Sequence, residues 1–451
     1  MIGEAPMSAV SRAADEAEPA CRAIEVRIEP TWDQWADALS KHMSDSARDE
    51  LGIPNDRPVL FSGHQPVIFH NGILAKLIAQ HEAAKRTGAH RVWIIADQDH
   101  VELEHLRVPT GHAGSLSSRT IQVLASDSIP AGVPSASLPA MPTEAVDDDR
   151  LEAIVEYLLG YTHESTLARQ FANATIGLAC ERLDIEPPQI IYASALFTSD
   201  TLWAIVQRML DDPRACVERY NEAVGGHPQA RVRPLMIEDG RVELPMWGLR
   251  DGRARVAIDT DNIDTFQRHE LAPRGLFMSL LVRAHLGELF IHGTGGWAYD
   301  RITQDWAKAW LGMELSPMAL ATATQHLELG WDPDEAVGVN EASWRLHHAR
   351  HTPGMLGDES AQRQKDELVS DIEQAKASGT NPDAPYQQLQ SLLERYRGEH
   401  RQQLDALRDR VDQARAMQKQ IALANDRTWP FVLFSEQQLG DLRRAVVGAM
   451  H

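Results

Sequence analysis

Three short polar segments, far apart in the chain, hold most of the side chains suited to chemistry. The first is Gly63-His64-Gln65, followed by His70 and Asn71. The second is Asp97-Gln98-Asp99-His100, with Glu102 and Glu104 beyond it. The third is His292-Gly293-Thr294-Gly295-Gly296. General acid–base work needs one ionisable group beside the substrate, so Asp97, Asp99 and His100 are the candidate catalytic residues. Gly63, His64, Gln65, His70 and Asn71 are candidate substrate contacts. Arg283 joins them as a bidentate donor for a substrate carboxylate. Gly293, Thr294, Gly295 and Gly296 stand where exposed amides at a helix start hold an anion, and they are the candidate cofactor contacts. Imidazole and carboxylate also suit zinc, manganese or iron, but no HExxH-like spacing fixes a ligand geometry, and no metal site is assigned. His347, His348 and His351 read as solvated or capping residues.

These segments need a scaffold that brings them together. Pro58-Val-Leu-Phe61 reads as a buried strand and Asn71-Gly72 leads into a helix with Ile73, Leu74, Leu77 and Ile78 on one face. Arg91-Val-Trp-Ile-Ile-Ala96 reads as the next strand. This is the strand-helix-strand unit of a parallel sheet. Gln189–Tyr192 and the run 287–292 repeat the pattern. Each polar segment follows a strand, at the edge of a parallel sheet where ligands bind. An α/β fold is therefore expected, with an irregular excursion over about 108–150 and β-hairpins over about 225–265, turning at Asp239-Gly240 and Asp251-Gly252. Thr31 is a candidate N-cap for a helix from Trp32 to Ser46.

Composition narrows the function. With 44 Lys+Arg against 65 Asp+Glu the formal charge is −21, which opposes a nucleic-acid surface. No run approaches the roughly 18 apolar residues of a membrane span. The N-terminal 1–20 read as a mobile tail rather than a signal peptide. Cys21, Cys180 and Cys216 are sparse and unpaired in pattern, as reduced thiols of a cytoplasmic protein are. From 346 to 425, Leu389, Leu393, Tyr396, His400, Leu404, Leu407, Val411, Ala414 and Ile421 step mostly by threes and fours. That spacing predicts an antiparallel coiled-coil hairpin whose spare apolar edge suits a second copy, with 426–451 returning to the core.

Gly293-Thr-Gly-Gly-Trp-Ala298 formally matches the dinucleotide-binding pattern, and Glu314 stands about 20 residues on, where an acid is wanted. No convincing strand precedes Glu314. The Gly-His and His-Asn-Gly elements around 63–72 faintly resemble nucleotidyltransferases, although the His-x-Gly-His order is absent. The alternatives kept open are a nucleotidyl-transfer enzyme and a non-catalytic dimeric scaffold.

Three blocks in order resemble the bacillithiol biosynthesis cysteine-adding enzymes. They are Gly63-His64-Gln65 with Lys76, then Val92–Ala96 into Asp97-Gln-Asp99-His100, then Gly293-Thr-Gly295-Gly296 with Tyr299, before the long helices. The resemblance implies a Rossmann-like core and a coiled coil that dimerises. It also implies a carbon–nitrogen ligase joining the carboxyl of cysteine to the amine of glucosaminyl-malate, with Tyr299 among the pocket residues and a nucleotide as the candidate cofactor. His64, Val101, Thr294 and Gly296 depart from the family pattern within that pocket.

Overall fold

Apolar runs between Gly, Pro and polar turns form one six-stranded sheet in the computed structural model, which describes residues 22–112, 114–125, 129–329 and 338–451. Its strands are β1 (Glu25–Glu29), β2 (Val59–His64), β3 (His90–Ile95), β4 (Gln189–Tyr192), β5 (Leu289–His292) and β6 (Met318–Thr324). They lie in the order β1-β6-β5-β2-β3-β4. All neighbours are parallel except β1, which pairs antiparallel with β6 at the edge. The chain steps outward from β2 through β3 to β4, then returns to the other side of β2 for β5 and β6. The order therefore reverses between β2 and β5, and in open α/β sheets the crevice outside the strand ends at such a point takes ligands. Leu60, Phe61, Trp93, Ile95 and Ile291 are fully buried, as a sheet covered on both faces requires. The expected 1–20 tail and Cys21 lie outside the described residues.

Helix α1 (Asn71–Thr87) connects β2 to β3. The His70 ring accepts the Gly72 N–H at its start, and Gly88, at φ 74°, ends it in the left-handed conformation. Gln80 on its buried face donates to the carbonyls of Leu60 and Val92, both at 2.9 Å, tying β2 to β3. Helix α2 (Gly275–Leu281) leads through a π-helical turn to β5, and α3 (Thr294–Leu311) connects β5 to β6.

The sheet differs from the sequence reading at its edges. Neither β1 nor β6 was expected, since Met318-Ala-Leu-Ala-Thr-Ala-Thr324 is rich in alanine, which strands disfavour. The helix at Trp32 stops at Ser40, and Thr31 at its N-cap makes no side-chain bond. Asp45 instead caps a separate short helix, Ser46–Glu50. Asp239 and Gly240, at φ 49° and 86°, turn the chain between Ile237–Glu238 and Arg241–Gly248, which also pairs with Val256–Asp259. The excursion after β3 holds a two-stranded sheet, His105–Thr110 with Ser117–Gln122.

The chain separates into two units. One holds the sheet: Ala23–Pro109, Ser118–Leu327 and Asp426–His451. The other is mainly Glu328–Asn425, with Thr110–Ser117. In it α4 (Val339–Ala349) packs on α7 (Arg401–Ala424), and α5 (Glu359–Ser378) on α6 (Asp383–Glu399). Leu393, Tyr396, Leu404, Val411 and Ala414 are buried, but the helix breaks at His400. The Tyr396 hydroxyl donates to the Ala349 carbonyl at 2.6 Å. Among the described residues, no helix is long and apolar enough to cross a membrane.

Candidate active site

A cleft of about 320 Å³ opens where β2 and β5 end. Residues of all three polar segments line it: Gly63, His64, Gln65 and His70; Asp99; and Gly293, Thr294, Gly295 and Gly296, with Tyr299. Gly63 permits the close approach of β2 and β3, because a Cβ there would fall 2.3 Å from the Ile94 carbonyl oxygen. Gln65 donates to Asp99 at 3.3 Å, and Arg255 holds the other Asp99 oxygen at 2.5 Å.

Four sequence candidates do not line the cleft. His100 is exposed, with its Nδ1 3.1 Å from the Val133 carbonyl. The Asp97 carboxylate is taken by the Ser194 amide at 2.9 Å and its hydroxyl at 2.5 Å, and burial pushes its pKa up to about 6. It joins the ends of β3 and β4. Asn71 donates to Gln325 at 2.7 Å. Arg283 is buried against Asp300 and the Ser316 carbonyl, each at 2.8 Å, so its guanidinium serves the protein rather than a ligand.

Residues with weaker sequence signals line the cleft instead. His292 is buried and lines the cleft from the tip of β5. Its Nε2 lies 2.9 Å from Asp300 Oδ2, which also accepts from Arg283. A carboxylate at Nε2 places the ring proton there and leaves Nδ1 as the acceptor. Nδ1 faces the start of α3, where a Cβ on residue 296 would lie only 2.5 Å away; glycine is required there. Burial lowers the His292 pKa against the raising effect of Asp300, while His292 and Arg283 hold Asp300 ionised. Among the described residues no side chain caps α3, so its first-turn amides lack a side-chain acceptor, and Thr294, Gly295 and Gly296 line the cleft.

No family model matches this chain, and no curated protein shows significant similarity to it.

Lys76 completes the site. It sits 4% exposed in the apolar face of α1, donates to the Gly63 carbonyl and lies 5.1 Å from the Trp93 ring centroid. Burial lowers its pKa to about 7. His64 falls to about 3 through burial and then the charge of Lys76, and His70 to about 4 through burial, Arg427 and Lys76. Both imidazoles are neutral at physiological pH. Arg427, from the segment after α7, reaches the same cleft and donates to Thr324 at 3.2 Å. In the sequence Lys76 stands out only through the three-block resemblance, and nothing singles out Arg427. Among the described residues, no three His, Cys, Asp or Glu side chains converge as a metal would need. Glu314 is exposed ahead of β6 and pairs with Lys308 at 2.7 Å, so it does not occupy the strand-end position of a ribose-binding acid.

The buried lysine has a measurable consequence for stability. Its folded pKa is depressed, so between about pH 7 and its unfolded value near 10.4 the unfolded chain binds the extra proton, and stability from this group rises with pH. Lys76→Met is therefore expected to raise the denaturation midpoint at pH 7, with the gain shrinking as the pH approaches 10. Chemical denaturation of both proteins across this range checks it; a gain that widens with pH contradicts it.

Proposed function

We propose that the cleft belongs to an enzyme that joins an amino acid, cysteine by the family resemblance, to the amine of a small polar metabolite such as glucosaminyl-malate. The core is then Rossmann-like, and the long helices form a coiled-coil hairpin through which two copies pair. One observation carries the catalytic reading: a buried Asp300 fixes His292, a residue lining the cleft, with its accepting nitrogen beside the uncapped start of α3. An attacking ammonium must lose a proton before its nitrogen can bond to an acyl carbon. His292 Nδ1 is placed to take that proton. As the nitrogen–carbon bond forms, the charge gathering on the acyl oxygen is stabilised by the positive end of the α3 dipole. The acyl group must arrive activated, as an acyl phosphate or acyl adenylate made from a nucleoside triphosphate, and the phosphate or nucleotide departs with the electron pair of the broken carbon–oxygen bond.

The test is a thiol-metabolite profile of the host with the gene, without it, and with His292→Gln in its place. Loss of one cysteine conjugate in the deletion, restored by the wild type and not by His292→Gln, is the expected result. Unchanged thiols beside another missing metabolite reject the cysteine substrate, and full rescue by His292→Gln rejects the base. The cationic cleft favours a second reading, nucleotidyl transfer, which pyrophosphate release from a nucleoside triphosphate with magnesium would reveal.

A further inference from the structure

We infer that this cleft holds an oxyanion subsite, built by Lys76, Ser279, Arg427 and the first-turn amides of α3, and that the substrate enters with a carboxylate or phosphate seated there. The inference rests on the cleft being a substrate site and adds the chemical class of the group it holds. Four features of different origin support it. Lys76 comes from α1, is nearly wholly buried, donates to the Gly63 carbonyl, and among the described residues has no carboxylate within ion-pair distance. Ser279 comes from α2, is 1% exposed, lines the cleft, and its Oγ has no hydrogen-bond partner among the described residues. A buried hydroxyl without a partner forgoes a bond that a ligand oxygen would supply. Arg427 arrives from a third segment and adds a second cation. The start of α3 adds backbone N–H groups and the positive end of its dipole.

The surroundings do not cancel this charge. Among the described residues lining the cleft only Asp99 is acidic, and it is paired with Arg255. His64 and His70 contribute acceptors or donors without charge. An anion is the missing partner, and its arrival favours the protonated form of Lys76, so binding takes up a proton from solvent near neutral pH.

The experiment titrates inorganic phosphate and, separately, succinate into the full-length protein by calorimetry at pH 7.5, in two buffers of different ionisation heat. Saturable binding of either ion with proton uptake is expected, and which ion binds more tightly distinguishes a phosphate from a carboxylate substrate. Lys76→Met abolishes the uptake and weakens binding by about tenfold or more, as loss of a charge-assisted contact does. Arg427→Gln, at the half-buried rim, weakens binding while keeping the uptake, and it stands in should Lys76→Met fail to fold. Absence of binding to the wild type, or equal binding by wild type and Arg427→Gln with no proton uptake, overturns the subsite. Those results leave the rescue test of His292→Gln untouched, and failure of that rescue test would leave the subsite standing, so the two readings fail separately.

Discussion

His292→Gln is expected to slow turnover by about 10²–10⁴-fold while leaving the fold intact. Glutamine extends an amide N–H into the position of Nε2, so the bond to Asp300 is kept and that carboxylate is not stranded beside Arg283. What it lacks is the nitrogen at the Nδ1 position, the acceptor that faces Gly296 and the cleft. Initial rates and thermal unfolding measured together check the claim. A rate within a few-fold of wild type would remove His292 from the chemistry. A low rate accompanied by a large drop in melting temperature would make its role structural.

Glu288→Ala is expected to cost about 3–5 kcal/mol, the largest stability loss predicted for a single residue. Glu288 lies 5% exposed just before β5 and pairs at 2.7 Å with Arg48, which is fully buried. Two Arg48 nitrogens have no hydrogen-bond partner, so Glu288 is the group that balances its charge. The same carboxylate accepts from the amides of Val59 at 2.6 Å and Met43 at 2.7 Å, fastening β2 at its first residue. Alanine leaves a buried guanidinium and two stranded donors. Urea denaturation should show the midpoint falling at constant slope. A shift under about 1 kcal/mol would mean that solvent reaches Arg48.

The sheet was legible where strands are long apolar runs between turn residues, as at Val92–Ile95, and illegible where small residues form them, as in β6. Periodicity signals a covered face, and alanine and threonine carry that signal weakly. The three polar segments converge because each follows a strand of one parallel sheet, a relation visible in the sequence. Which of their side chains turn inward was not visible. Asp97 and Asp99 are two residues apart, yet one is consumed by Ser194 and the other lines the cleft. His100 stood with Asp97 and Asp99 as a candidate acid or base because all three lie in the polar run after β3. His292 ends an apolar strand, and only the chain's return at Asp300 makes it one. The helical seam was read as continuous through His400 because spacing along a sequence cannot show that backbone hydrogen bonding is interrupted there.

Arg427 and the segment after it have an implication for how the protein is made. The sheet-bearing unit closes with residues that leave the ribosome only after all of 328–425 has been synthesised. Until then Phe69 lacks the Phe431 amide that its carbonyl accepts at 2.8 Å, and the cleft lacks one of its two cations. A nascent chain can assemble the parallel strands but not a finished pocket. Premature termination anywhere in the long helices would leave the core without the Phe431 amide on Phe69 and the cleft without Arg427.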